Sequence, residues 1–525
     1  MSLISEAFVL FSLVLLVLYF LVPGKYQWCV LLAFSCFFYL YAGARYSVFI
    51  LITAVSAYAC SLAVAKIQNK RATYLKENKA SLTKEERAAY KQRKNKQCRT
   101  VMVLTLLLNV GILCVFKYSD FILQQLNAVI PNAPLPDSLH LIIPLGISFY
   151  TFQTVGYVLD VYWEKIEPQR NFAKLLLFVS FFPQVTQGPI SAYSDLAPQL
   201  YEPHTFQYRN FSLGIQRMIW GFFKKMVIAD VAAPLVRTAF DSFQTMNGNQ
   251  VLLSAFLYSL QIYADFSGYM DIVCGLCQIL GIHLTENFER PYFSKSVAEY
   301  WRRWHISLGT WFKTYIYYPV AFSGFSKKCS NLGIRFLGKT VGKTISASIA
   351  LIVVWFCTGL WHGASWAYIA WGGLNGLAII LSMWLEPVFK RMKTACRINE
   401  KSWGWRAFAT LRTFFLVTMI KVFPEVGGFR AGAGFWKHCF INWDLSLDMT
   451  LFYPIATRTQ LVLLAVGAVL MFVTSLMQRK ESVRQQIARW PVVLRYGIFV
   501  LLFFAIILYG VPAQNTGGGF IYAQF

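Results

Sequence analysis

The sequence predicts an all-α protein that crosses a membrane several times. Of its 525 residues, 57% are hydrophobic and 14% are charged, whereas soluble domains carry roughly a quarter charged residues. Apolar stretches of about 20 residues recur along the chain, which is the length that a membrane-spanning helix needs. Basic residues concentrate in the connectors between these stretches, as the positive-inside rule describes. We therefore expect a polytopic membrane protein with about 11–13 transmembrane or re-entrant helices.

The predicted helices follow the apolar stretches in chain order. They lie at about 7–22, 27–43, 47–66, 101–124, 140–160, 172–190, 211–236, 250–281, 344–361, 365–385, 406–423, 459–477 and 492–512. The stretch 211–236 is the weakest, because Lys224, Lys225 and Asp230 interrupt it; charged residues at membrane depth require cover by protein or a wet cavity. Around 292–320 we expect amphipathic segments at the cytoplasmic surface.

Orientation follows from the distribution of Lys and Arg. The segment 66–99 is rich in both and is predicted to be a basic cytoplasmic loop, whereas the connector 125–139 contains neither and is predicted outside. Counting three helices back from residue 66 places the N-terminus outside. The net charge of +25 comes from basic residues in the connectors between apolar stretches. We therefore expect contact with anionic membrane lipid and no binding of nucleic acid.

We expect residues 1–525 to form a single membrane-embedded domain. The segment 282–344 is largely cytoplasmic, and 344–385 forms the helices that flank His362. C-terminal helices occupy 386–525.

No metal site is expected from the cysteines and histidines. The chain has 11 cysteines, most of them inside apolar runs, where they act as small apolar side chains. Cys274 and Cys277 form a lone Cys-x-x-Cys pair followed by His283, but a fourth ligand at familiar spacing is missing.

His362 is the first candidate functional residue. It ends an apolar run in the string Thr358-Gly-Leu-Trp-His-Gly-Ala-Ser365, and an ionisable residue at membrane depth is a functional-site hypothesis by default. A neutral imidazole can take the proton of a hydroxyl nucleophile and return it to a leaving group. A helix-end histidine that bonds a backbone carbonyl fits the same spacing, so both interpretations remain open.

His305 follows two arginines in Tyr300-Trp-Arg-Arg-Trp-His-Ile-Ser-Leu308. Arg302, Arg303 and Lys313 suit the phosphates of a donor such as coenzyme A or a phosphopantetheine arm. A Trp/Arg belt that only anchors the segment at the membrane surface is the alternative.

Two carboxylates interrupt the apolar stretch 250–281. Asp265 and Asp271 are candidates for a proton relay. They are equally compatible with a structural role, in which they bond Tyr, Ser or Arg side chains of neighbouring helices.

Several long strings of this sequence resemble the membrane-bound O-acyltransferase family, in particular its bacterial polysaccharide O-acetylation branch. They are Pro144–Gln153, Val179–Gln184, Gly188–Ile190, Ala197–Leu200, Gln261–Tyr269, Glu286–Phe288, Pro291–Tyr292, Trp301–Leu308, Gly359–Ala364 and Phe520–Phe525. The resemblance implies a ring of helices around a central tunnel. It also implies that His362 is the catalytic histidine and His305 the second family histidine, with Asp265, Tyr269 and Trp361 lining the tunnel or holding its helices.

The same resemblance implies a reaction and its participants. The cargo would be acetyl from a cytoplasmic donor, acetyl-CoA, with no permanently bound cofactor. An exported esterase-like partner would complete the transfer to an extracellular or cell-wall polysaccharide outside the bacterial plasma membrane. The sequence does not name the sugar.

Two positions depart from the family pattern. After Tyr317-Tyr-Pro319 the family usually continues with a Leu-Gly-Gly-Asn-Arg-like string, where this chain has Val320–Lys328. Many relatives carry a third histidine near Trp371–Gly376, where this chain has Asn375. The first departure puts the contacts of the cytoplasmic segment in doubt, and the second argues against a required third histidine.

Two other functions remain as alternatives. Within the same family, a D-alanyl transferase for teichoic acid would take its acyl group from a carrier protein. A transporter without chemistry would be expected to show paired, discontinuous half-helices in two related halves, and the sequence shows no such symmetry.

Overall fold

The computed structural model describes residues 2–130, 136, 138–444, 455–479 and 481–512. The terminal string Phe520–Phe525, which is part of the family resemblance, lies outside these ranges. Within them the regular structure is helical, apart from one isolated antiparallel bridge between Phe288 and Trp304. The all-α prediction is confirmed, whereas a ring of helices around a tunnel stays a prediction.

The described chain forms two compact units. The first comprises 6–211 and 277–285, and the second comprises 2–5, 212–276 and the described residues from 286 onwards. The single-domain organisation over 1–525 stays a prediction.

The first unit contains eight helices of its own. They are α1 (Glu6–Leu21), α2 (Gln27–Gly43), α3 (Ser47–Glu77), α4 (Lys84–Val129), α5 (Ile147–Tyr162), α6 (Phe172–Ser180), α7 (Phe182–Val185) and α8 (Tyr193–Tyr201), with short 3₁₀ turns at Gly24–Tyr26 and Ala44–Tyr46. Two further helices, α9 (Tyr208–Phe222) and α11 (Gly248–Ile279), have residues in both units.

The second unit contains the remaining elements. They are a π-helix (Phe223–Ala229), α10 (Asp230–Asp241), 3₁₀ turns (Phe243–Thr245 and Pro291–Phe293), α12 (Val297–Arg303), α13 (Ile306–Phe312), a second π-helix (Lys313–Tyr317), α14 (Tyr318–Ala321), α15 (Gly324–His362), α16 (Trp366–Trp384), α17 (Glu386–Ala395), α18 (Trp403–Glu425), α19 (Phe429–His438), α20 (Arg458–Met477), α21 (Val483–Ile487) and α22 (Val492–Tyr509). Gly338 (φ 78°, ψ 166°) kinks α15.

Seven helical stretches in the described residues are long and apolar enough to cross a membrane. They are Gly24–Glu77, Lys84–Val129, Gly338–His362, Trp366–Trp384, Trp403–Glu425, Arg458–Met477 and Val492–Tyr509. The first of these contains both α2 and α3, with Gly43 (φ 155°) at the break between them. The protein is therefore a multi-pass membrane protein, as predicted.

The predicted continuous helix at 172–190 is wrong. α6 ends at Ser180 and α7 begins at Phe182, with Pro183 in its first turn. Proline lacks the backbone N–H that a continuing helix would use, and its ring clashes with the preceding turn. With nine residues, α6 is about 14 Å long, too short to cross a hydrocarbon core of about 30 Å.

The basic segment 66–99 is a helical hairpin, not the predicted loop. α3 continues to Glu77, and α4 begins at Lys84 behind a capping box formed by Thr83 and Glu86. With 46 residues, α4 is roughly 70 Å long, so it extends well beyond the hydrocarbon core. Lys and Arg favour helix as readily as other straight-chain residues, and basic composition therefore does not indicate a loop. The cytoplasmic location of this hairpin stays a prediction.

The weak stretch 211–236 is interrupted where the sequence indicated. α9 passes into a π-helix that contains Lys224 and Lys225, both of them buried. In the second unit this interrupted helix packs closely on α11 at two small residues. A Cβ atom built on Gly221 would lie 2.7 Å from the carbonyl oxygen of Gly268, and one built on Gly268 would lie 2.9 Å from the carbonyl oxygen of Gly221.

We predict that Gly221→Val destabilises the protein. The new side chain meets backbone atoms of α11, which cannot move aside as a flexible side chain can, and overpacking of this kind costs about 1–3 kcal/mol. Thermal unfolding of the purified protein in detergent measures the effect. Gly404→Val in α18 is the control, because no atom lies within 4 Å of a Cβ built there. Equal unfolding temperatures for the two variants would contradict the close packing.

Candidate functional site

His362 lies at the C-terminal end of α15, inside a group of aromatic rings. Its side chain is 5% exposed. The Trp361 and Trp371 rings each lie 4.8 Å from the imidazole centroid, and the Tyr368 ring lies 6.3 Å away. The chain leaves α15 through an extended Gly363 and re-enters a helix at α16, where the Ser365 side chain accepts a hydrogen bond from the Tyr368 N–H. This tight connection places Tyr368 and Trp371 against the histidine.

His305 occupies a different local structure, at the N-terminus of α13. Its backbone is left-handed (φ 49°, ψ 54°), a conformation that few non-glycine residues adopt. Its side chain is 2% exposed. Burial lowers the pKa of the His305 imidazole, so the ring is neutral near pH 7 and retains an acceptor nitrogen.

The segment before α12 holds His305 in this conformation. The backbone oxygen of Asn287 accepts the Ile306 N–H at 3.1 Å, and its side-chain Oδ1 accepts the Ser307 N–H at 2.9 Å. Next to these hydrogen bonds, Phe288 and Trp304 form the isolated antiparallel bridge. Asn287 therefore satisfies the first free N–H groups of α13, which would otherwise be buried without partners.

Trp361 links the two histidines. Its ring centroid lies 4.8 Å from that of His362 and 5.8 Å from that of His305. On its other side the His305 ring contacts Phe266 of α11 at 4.9 Å, edge to face. Residues that are 57 positions apart in the sequence thus belong to one aromatic cluster, and we name Phe266, His305, Trp361, His362 and Trp371 the histidine cluster.

The predicted donor-binding residues lie in α12 and the second π-helix and differ from one another in exposure and pairing. Arg302 and Lys313 are exposed. Arg303 is partly buried and forms an ion pair with Glu299 at 2.7 Å. Lys313 begins the second π-helix, and its ammonium lies 5.7 Å from the Tyr318 ring centroid. Arg302 and Lys313 can reach a ligand from solvent without breaking an ion pair.

Asp265 and Asp271 of α11 belong to two separate ion-pair networks. The Lys225 Nζ lies 2.7 Å from both Asp265 and Asp230. Asp271 pairs with Lys224 and Arg217, each at 2.7 Å. These contacts favour the structural interpretation of Asp265 and Asp271 over the relay. Tyr269, between them, is 1% exposed.

Sequence reasoning overlooked one buried cation. Lys421 of α18 is 5% exposed; its Nζ donates to the Tyr292 hydroxyl at 2.9 Å and lies 4.2 Å from the Trp304 ring centroid and 5.1 Å from that of Tyr300. Aromatic faces attract a desolvated cation. The signal was present, because Lys421 is an ionisable residue within the predicted helix 406–423.

Asn287 was missed for a different reason. It appeared only as part of a family string, and its role depends on a segment about 20 residues away along the chain. Asn375, at the position of the missing third histidine, is buried and accepts the Trp301 indole N–H at 3.0 Å while donating to the Trp371 carbonyl at 2.9 Å. It supports two of the tryptophans near the site.

Comparison with known proteins places the histidine cluster in a family context. Residues 168–416 match the model of the membrane-bound O-acyltransferase family, and this range includes both histidines. A protein named "Probable alginate O-acetylase AlgI" from Pseudomonas syringae pv. tomato is 33% identical over 360 residues, which are 67% of this chain and 63% of that protein.

Two further relatives carry different names. A peptidoglycan O-acetyltransferase from Helicobacter pylori is 35% identical over 307 residues, 54% of this chain and 55% of that protein. A teichoic acid D-alanyltransferase from Bacillus subtilis is 28% identical over 255 residues, 47% of this chain and 61% of that protein. The matches span less than two thirds of the length of each of these relatives.

We predict that Asn287→Ala disturbs the His305 segment more than it disturbs the fold as a whole. The substitution leaves the buried Ser307 N–H without its acceptor, which costs about 1–3 kcal/mol. Asn287→Asp retains an acceptor oxygen at the same place and should recover part of the loss. Thermal unfolding and limited proteolysis near 287–307 measure the two effects. If the segment 287–307 in Asn287→Ala resists proteolysis as well as it does in the wild type, the hydrogen bonds of Asn287 do not hold this segment.

We also predict that Asp265→Asn strongly destabilises the protein. It removes one carboxylate from the buried Lys225 ammonium, and breaking a buried ion pair costs about 3–5 kcal/mol. The control is Asp241→Asn, which removes the partner of Arg237 in a fully exposed pair, where the expected loss is within about 1 kcal/mol. Unfolding temperature in detergent compares them. Similar values would mean that the network around Lys225 does not stabilise the second unit.

Proposed function

Because the chain belongs to the membrane-bound O-acyltransferase family, we propose that it is a membrane O-acyltransferase that transfers acetyl groups to polysaccharide. The donor is acetyl-CoA on the cytoplasmic side of the bacterial plasma membrane, and the final acceptor is an extracellular or cell-wall glycan. The observation that carries this proposal is the histidine cluster, in which two buried histidines from distant parts of the family-matched region share the Trp361 ring.

His362 is proposed as the general base of the reaction. Its imidazole takes the proton of an acceptor hydroxyl while that oxygen attacks the thioester carbonyl. A C–O bond forms, the C–S bond breaks, and the imidazolium returns the proton to the departing thiolate. The aromatic walls support this role, because they exclude bulk water that would otherwise hydrolyse the thioester.

His305 is proposed as the second functional histidine. Its neutral ring has an acceptor nitrogen and, on the other nitrogen, a donor, and such a donor can polarise the thioester carbonyl. Asp265, Tyr269 and Trp361 are proposed to support the site and do not react. In this arrangement no permanently bound cofactor is required.

Arg302 and Lys313, with Arg303, are proposed to bind the phosphates of the donor. Guanidinium groups bind phosphate through paired hydrogen bonds, and an ammonium binds it as a point charge. The exposure of Arg302 and Lys313 supports this role more strongly than the ion-paired Arg303. The segment 282–344 would then face the cytoplasm, and the N-terminus would lie outside.

The acceptor class rests on the relatives. The three relatives quoted above are named for alginate, peptidoglycan and teichoic acid. We propose an exported, esterase-like partner protein that receives the acetyl group and passes it to the glycan.

D-alanyl transfer to teichoic acid is the second candidate function. The match to the teichoic acid D-alanyltransferase favours it, although that protein is 28% identical, against 33–35% for those named for O-acetylation. In this case the donor is the phosphopantetheine of a carrier protein, and the same basic residues would bind that phosphate. The acyl group found on the glycan distinguishes the two functions.

We predict that His362→Ala abolishes ester-linked acetyl on the producer's glycans, because removing a general base typically costs about 10²–10⁴-fold in rate. Mass spectrometry after mild alkaline release measures the acetyl group at matched membrane levels of the protein. His283→Ala is the control, since this histidine is exposed and its hydrogen bonds use only its backbone. Acetylation within a few-fold of wild type in His362→Ala would remove the assignment, and released alanine would establish the second candidate.

We predict that Arg302→Ala combined with Lys313→Ala raises the donor concentration needed for half-maximal rate, by about tenfold, with a smaller change in maximal rate. Two phosphate contacts of roughly 0.7 kcal/mol each account for this magnitude, because about 1.4 kcal/mol is a tenfold change. Membrane vesicles supplied with acetyl-CoA give the saturation curve. The matched control is Lys327→Ala with Lys328→Ala, which removes the same number of positive charges outside the proposed contacts. Unchanged donor saturation in the first variant would exclude these residues as donor ligands.

A further inference from the structure

A cavity in the second unit lies apart from the histidine cluster. It has a volume of about 300 Å³ and lies between α11, the turn Pro291–Phe293, α18 and α20. Its walls are mostly hydrocarbon, and they include Leu260, Leu411, Phe414, Met471 and Phe472. We name this space the α18–α20 cavity. Its lining suits an aliphatic chain and offers little to a polar solute.

One charged side chain lines this apolar cavity. Arg290 has its Nε buried and, within the described residues, its side chain makes neither a hydrogen bond nor an ion pair. Its guanidinium lies 4.8 Å from the Phe293 ring centroid, which holds it at the cavity wall. A buried donor without an acceptor is costly, so this geometry indicates an acceptor supplied from outside the chain.

Two further arginines add positive charge at the same place. Burial and then the charges of Arg303 and Arg479 lower the pKa of Arg290, while the charge of Glu289 raises it, so these groups lie within electrostatic range of Arg290. Glu299 pairs with Arg303, while Arg479 is exposed just beyond the end of α20. Glu289 also acts on Arg290, so the three guanidinium groups face two carboxylates and one net positive charge remains for an anion to neutralise.

We propose that the α18–α20 cavity binds an anionic phospholipid. The phosphate accepts hydrogen bonds from Arg290 and Arg479, and part of one acyl chain enters between α18 and α20. Both halves of the site are needed for this assignment. Free phosphate leaves the apolar cavity unfilled, and an uncharged lipid leaves Arg290 without its acceptor. Basic pockets between membrane helices bind anionic lipid headgroups in this manner.

The bound lipid contacts the wall that supports His305. Tyr263 and Tyr292 line the cavity, and their rings lie 5.9 Å and 6.1 Å from the ring centroid of Trp304, the residue before His305. The Tyr292 hydroxyl also accepts a hydrogen bond from the Lys421 ammonium. Lipid binding itself, however, does not depend on the chain being an acyltransferase.

Photo-crosslinking of the full-length protein in detergent tests the proposal. The probe is phosphatidylglycerol with a diazirine near the end of one acyl chain, and peptide mass spectrometry locates the labelled residues. Unlabelled phosphatidylglycerol and phosphatidylcholine compete in separate titrations. We expect labels on cavity-lining residues of α18 and α20, and displacement at an at least about fivefold lower concentration of phosphatidylglycerol, the effect of roughly one basic contact.

Three variants sharpen the test. Arg290→Gln should abolish the preference for phosphatidylglycerol, whereas Arg430→Gln, an exposed arginine outside the cavity lining, should retain it. Ala468→Phe, which fills the cavity from α20, should reduce labelling of the cavity residues at least about fivefold. Labels confined to other helices, equal competition by both lipids on the wild type, or a full preference in folded Arg290→Gln would overturn the proposal. If Arg290→Gln does not fold, the wild-type competition and Ala468→Phe decide it.

Discussion

The pairing of lysines on the interrupted helix with aspartates on α11 is the interaction on which the second unit depends. Lys225 and Asp265 are 2% and 1% exposed at the side chain, and each is the partner that makes burial of the other tolerable. The pairs act together with the close approach of Gly221 and Gly268. Both features require one register between the two helices, because a shift of one residue would leave buried charges unpaired.

That register also determines which side chains of α11 contact the segment around His305. Phe266, next to Asp265, contacts His305, and Met270, next to Asp271, accepts the Asn287 side-chain N–H at 3.2 Å. Asn287 in turn holds the first turn of α13. The ion pairs, the hydrogen bonds of Asn287 and the position of His305 thus form one continuous set of contacts. The buried polar residues of α11 therefore hold the His305 segment in place.

Aromatic packing holds the His362 side chain in place. Tryptophan and tyrosine rings surround the imidazole from α15 and α16, and Asn375 bonds two of the supporting tryptophans through both ends of its amide. Large rings with few rotatable bonds hold a side chain at small entropic cost. The lipid proposed for the α18–α20 cavity would extend the same packing on the far side of Trp304.

Most helix positions could be predicted from the sequence, since hydrophobic length is a local property. The predicted bounds 27–43 agree with α2, and 459–477 differs from α20 by one residue. The errors at 172–190 and 66–99 also have local causes: a proline stops one helix, and basic side chains do not stop another. Both features follow from residue propensities that are local to each segment.

The sequence by itself determined the fold class and most of the helices and indicated the two candidate histidines, because each depends on a short string of residues. Tertiary structure decided which polar groups meet. Lys225 pairs with Asp265, which is 40 residues away along the chain, and Lys421 donates a hydrogen bond to Tyr292, which is 129 residues away. Such pairings arise from helix register and close packing, and neither is contained in a local pattern. For the same physical reason Trp361 could be read as a helix-end aromatic, while its place between His305 and His362 required the folded chain.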